Sequence, residues 1–71
     1  MKNIDELRFE LNEDKEEFVD MMKAGLLLET HKSPDRITYI FDNCGYYEVF
    51  VFDDNGFSLG RNCVESLVPY N

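Results

Sequence analysis

The chain has 71 residues, a net charge of −8 at pH 7 and a pI near 4.3, with 44% hydrophobic and 14% aromatic side chains. That is room for one domain with one modest core. The apolar content is too high for a disordered acidic tail, and the charge makes phosphate backbones and anionic lipid poor direct ligands.

The first third is built from helix formers. Eight of the fifteen carboxylates fall between Asp5 and Asp20, opposed there only by Arg8 and Lys15. Ile4, Leu7, Leu11, Phe18 and Met21, with Met22, recur at helical spacing and predict a helix over residues 4–24. Asn3 with Glu6 forms a box-like N-cap, and Gly25 with Lys23 before it makes a stop. Asp14 breaks the pattern, because it falls where the stripe calls for an apolar residue. A competing reading takes Leu7, Phe9 and Leu11 as a short alternating strand, with Asn12 capping a helix over residues 13–24.

After Gly25 the period changes from 3.6 to 2. Residues 26–31, 36–42, 46–53 and 57–61 are predicted strands, and a short helical turn is expected around residues 63–67. Lys32 to Asp35 suits a four-residue loop, and Asn43-Cys44-Gly45 a three-residue one with Gly45 left-handed. Asn55-Gly56 reads as a two-residue type I′ turn.

These loops set a register. The first pairs Thr30 with Ile37, Leu28 with Tyr39 and Leu26 with Phe41; the second pairs Phe41 with Tyr47, Tyr39 with Val49 and Ile37 with Val51. The third sets Phe52 opposite Leu59 and Phe50 opposite Arg61. One face then collects Leu26, Leu28, Ile37, Tyr39, Phe41, Tyr47, Val49 and Val51. The expected fold is α+β: an acidic N-terminal helix packed on a three- to four-stranded antiparallel meander, either open or curled into a small SH3-like barrel.

The run Met22-Lys23-Ala24-Gly25-Leu26-Leu27-Leu28-Glu29-Thr30-His31, followed by Arg36-Ile37-Thr38-Tyr39-Ile40, resembles short phage and prophage proteins with SH3-like small barrels. There a Lys-x-Gly turn leads into a strand, a polar turn and a strand with a central tyrosine. Asn55-Gly56-Phe57-Ser58-Leu59 looks like their closing hairpin. This chain departs from them at Pro34, where they carry glycine, and in the acidic segment ahead of the sheet. Such proteins mostly lack an assigned activity, so no functional residue carries over from the resemblance.

Catalytic patterns are lacking. His31 is the single imidazole, and nothing in the order of residues sets Ser33, Cys44, Ser58, Cys63 or Ser66 beside it with an orienting carboxylate. Asp53-Asp54-Asn55-Gly56 lacks the later ligands of a calcium loop, and the two cysteines match no metal spacing. Neither enzyme activity nor a cofactor or metal is expected. Without a membrane-length apolar run or a secretion signal, the expected compartment is the cytosol of a host cell.

Two candidate surfaces remain. On a continuous helix, Glu6, Glu10, Glu13, Glu17 and Asp20 form one acidic stripe spaced much like DNA phosphates, fit to enter a basic nucleic-acid groove. Leu27, Ile40, Phe50, Phe52 and Leu59 form an apolar patch on the second sheet face, with Tyr46 and Tyr70 as further aromatic anchors. The leading expectation is an acidic phage or mobile-element protein that inhibits a basic host nucleic-acid-binding protein, as anti-CRISPR and anti-restriction inhibitors do. The alternative is a small homodimeric assembly module that pairs through the patch.

Overall fold

The computed structural model describes residues 6–66. One helix, α1 (Asn12–Lys23), is followed by strands β1 (Leu27–Ser33), β2 (Arg36–Asn43), β3 (Tyr46–Asp53) and β4 (Ser58–Val64). The strands form an antiparallel meander in the order β1-β2-β3-β4. The sheet is open, with β1 and β4 at its edges, and does not close into an SH3-like barrel. β4 continues through Val64, where a helical turn was expected.

The helix begins at Asn12, well after the predicted start at residue 4. Its N-cap is the extended Leu11, which supplies no capping side chain, so Asn12 does not cap either. Glu13 and Asp14 in the first turn face the positive end of the helix dipole instead. Around Arg8, ahead of it, the chain is extended, close to the competing reading. The Arg8 N–H donates to the Gly56 carbonyl at 2.7 Å, and the Ser58 N–H donates to the Arg8 carbonyl at 2.8 Å. These bonds make a parallel bridge between Arg8 and Phe57. Residues two apart lie about 200° apart around a helix but on one side of a strand. Extension therefore buries Leu7 and brings Phe9 against the same core, where a helix would bury only one of them.

The end of α1 follows the sequence reading. Gly25 is left-handed (φ 73°), its N–H donates to the Met22 carbonyl, and the Leu26 N–H donates to the Met21 carbonyl. This paired pattern is a Schellman stop.

The core lies between α1 and one sheet face. Phe18 is fully buried, with its ring centroid 5.2 Å from those of Tyr39, Phe41 and Phe50, each nearly edge-on. Phe9 closes one side, 5.4 Å from Phe18 and 5.2 Å from Phe52. Such contacts suit the aromatic quadrupole and add roughly 0.5–1.5 kcal/mol per pair beyond area burial.

All three hairpins differ from their predicted loop lengths, and the first two differ in register along the strands. The β2–β3 loop is two residues long, with Asn43 paired to Tyr46 and both Cys44 (φ 54°) and Gly45 (φ 91°) left-handed. That is the type I′ requirement, met here by a cysteine at the first position. Shortening the loop by one residue turns β3 over. Phe50 and Phe52 face Tyr39 and Ile37 in the core, while Tyr47, Val49 and Val51 move to the other face. Ile40 and Val49, directly opposed, are fully buried outside the helix-side cluster.

The β1–β2 loop is also two residues long, Pro34-Asp35, so Lys32 rather than Thr30 faces Ile37. A bulge between Leu27 and Glu29 then sets Leu27, not Leu26, opposite Phe41. At the third turn the error is reversed. Asp53 Oδ1 accepts the N–H groups of Asn55 and Phe57, and the Gly56 N–H donates to the Asp53 carbonyl. The Asp53 side chain thereby holds a three-residue loop ending in left-handed Gly56 (φ 90°), in place of a type I′ turn. A bulge at Leu59 leaves Phe52 opposite Ser58, while Phe50 faces Arg61 as expected.

Candidate interaction surface

The apolar patch expected on the second face is not assembled. Phe50 and Phe52 lie in the core, Leu27 packs against it, and Ile40 is buried on the other face. Leu59 and Tyr46 are exposed, 53% and 51%, but Leu59 lies at the β4 bulge and Tyr46 at the opposite end of β3. Tyr70 lies outside the described residues.

The acidic stripe is also divided. Glu6 and Glu10 precede α1, so only Glu13, Glu17 and Asp20 share a helix. Of these, Glu17 is held by the sheet. Arg61, at the middle of β4, extends its guanidinium across the Phe50 ring, 5.0 Å from the centroid. Its Nη1 donates to Asp14 Oδ1 at 2.8 Å, Nη2 to Glu17 Oε2, and Nε and Nη2 to Glu48 Oε2 at 3.3 and 3.1 Å. Two of those carboxylates come from α1 and one from β3, so a single cation joins the helix to the sheet.

Burial alone would lower the Arg61 pKa. The hydrogen bonds it donates to Glu17, Asp14 and Glu48 outweigh it and hold the guanidinium above its ordinary value. Asp14 thereby gains its explanation: a carboxylate in the apolar stripe has a cation waiting opposite. Its break in the apolar pattern was the visible signal, and Arg61 opposite Phe50 was the other half.

The outward face of α1 presents Glu13, Glu16 and Asp20, all exposed. Their spacing of three and four places them along one side, away from Phe18. Glu16 did not figure in the sequence stripe. Asn12, Lys15, Glu16, Val19 and Asp20 line an open groove on the outer side of the helix. Lys15 and Lys23 are the basic residues of α1, against five carboxylates.

His31 Nε2 lies 3.3 Å from Glu29 Oε2 on the exposed edge. Both cysteines are free and exposed. Desolvation and the neighbouring Glu48 push the Cys63 thiol up, away from the thiolate a nucleophile needs. Among the described residues, no group of three or more His, Cys, Asp or Glu could hold a metal ion, and no helix is long and apolar enough to cross a membrane. No family model, curated protein or solved structure matches the chain.

Proposed function

We propose that this chain is a non-enzymatic, acidic interaction protein of phage or mobile-element origin. It would inhibit a host nucleic-acid-binding protein by occupying that protein's basic surface, as anti-CRISPR and anti-restriction inhibitors do. The observation that carries this reading is the outward face of α1. Glu13, Glu16 and Asp20 stay exposed there, while the fold neutralises part of the remaining helix charge through Arg61. A chain of −8 that leaves such a face to solvent offers a basic groove both steering and counterion release. Recognition would rest on this compact face and net charge. The five-carboxylate stripe that would imitate a run of phosphates is absent.

The test is competition. A host protein captured on this chain from nuclease-treated lysate, then purified and loaded with labelled nucleic acid, should release that nucleic acid when this chain is added, and the effect should fade steeply with salt. Replacing Glu13, Glu16 and Asp20 together by lysine should abolish it, because none of the three contacts Arg61. Glu17 is unsuitable for the test, since reversing it would disturb the fold. Equal inhibition by the triple variant would refute the proposal.

A further inference from the structure

We propose that β1 is a self-pairing edge, through which two copies of this chain join their sheets about a two-fold axis centred on Thr30. β1 is one edge of the sheet, and from Leu28 to Ser33 every residue is exposed. The opposite edge differs, because the segment around Arg8 bridges to Phe57 at the start of β4.

The backbone is correctly placed for this pairing. Ser33 and Arg36 close a two-residue loop and form a mutually bonded pair, so His31 and Glu29 also direct their N–H and C=O groups toward β2. The alternate residue Thr30 directs its own groups outward. A two-fold axis there makes Thr30 and its copy exchange two hydrogen bonds. Glu29 of each copy then falls opposite His31 of the other, in the closer, non-hydrogen-bonded positions. Leu28, 50% exposed, meets the aliphatic stem of Lys32.

Charge favours a second copy as the occupant. The chain carries −8, so copies repel, but β1 holds one carboxylate (Glu29) and one ammonium (Lys32) and is neutral overall. Its order is also self-complementary when read antiparallel. The bulge beside Leu28 keeps the paired stretch short, which places the dimer among weak, transient associations.

Sedimentation equilibrium of the full chain tests this. The wild type should show a monomer–dimer equilibrium as its concentration rises toward about 1 mM, the range expected for weak contacts. Thr30→Pro removes only an outward N–H and should remain monomeric with an unchanged far-UV spectrum. Glu29→Arg should weaken dimerisation roughly tenfold, and Glu29→Arg with His31→Glu should restore it. Glu65→Arg, an equal change of net charge outside β1, should not weaken it. A wild type that stays monomeric overturns the proposal. So does a folded Thr30→Pro protein that dimerises normally, or a charge swap that restores nothing. None of these measurements involves a host protein, so their outcome is separate from that of the inhibitor reading.

Discussion

The guanidinium of Arg61 donates to the carboxylate of Asp14 at 2.8 Å, connecting the middle of the edge strand β4 to the first turn of α1. The Arg61 side chain is only 23% exposed and lies over Phe50, so this pair sits at the rim of the core, where solvent screens it poorly. Glu48 shares the same guanidinium with only 12% of its side chain exposed. Removing the cation would leave three converging carboxylates.

Arg61→Met should therefore destabilise the protein by about 2 kcal/mol, allowing for the partial exposure of Glu17. Arg61→Lys should recover less than half of the loss, since an ammonium cannot fork between three carboxylates or stack on Phe50. Adding Asp14→Leu to Arg61→Met should restore part of the stability, a non-additive result, with Glu48 and Glu17 still lacking their cation. Urea midpoints at constant slope would measure all three.

The Cys44-Gly45 turn offers a gain. Both residues are left-handed, a conformation asparagine tolerates better than cysteine. Cys44→Asn should raise Tm by roughly 2–5 °C. Gly45→Ala should lower it by roughly 5–8 °C through backbone strain alone, because no atom lies within 4 Å of the added methyl. Thermal unfolding followed by circular dichroism distinguishes the two.

The segment before α1 is held by its backbone. Arg8→Ala should be nearly neutral, since that side chain is exposed. Arg8→Pro should cost about 1–2 kcal/mol, because it leaves the carbonyl of buried Gly56 without its donor. Chemical denaturation of the two variants would show the contrast.

Tyr39 gives an alkaline limit. Burial raises its pKa above the ordinary 10.0. Above pH 10 an unfolded chain releases the phenol proton while the folded one retains it, so stability is complete below that pH and falls as pH rises past it. Tyr39→Phe should show a shallower decline between pH 9 and about pH 11, read from urea midpoints across that range.

Much of the architecture was legible in local chemistry. The change of hydrophobic period at Gly25 separates helix from sheet, and the glycine stop has the expected hydrogen bonds. The turns delimit strands close to those observed, and Phe50 opposite Arg61 could be counted from the last hairpin. Loop length was harder to read. At Asn43-Cys44-Gly45 and at Asn55-Gly56, loops of two and three residues are both chemically reasonable. The choice at the first reverses which side of β3 faces the helix, and aromatic packing decides it: Phe50 and Phe52 fill the space around Phe18 better than Val49 and Val51 would.

The acidic opening shows the same division. Its charge, its helix-forming residues and the misfit of Asp14 are properties of the residues in order, and they predict a helix with a polar intrusion. Where that helix begins depends on partners nearly fifty residues away. Gly56 and Ser58 provide the backbone groups that keep Arg8 extended, and Arg61 provides the cation that makes Asp14 fit. Local propensity ranks conformations that differ by tenths of a kcal/mol per residue, roughly. A buried aromatic side chain or a desolvated ion pair contributes roughly ten times that, so contacts remote in sequence decide where local preferences nearly balance.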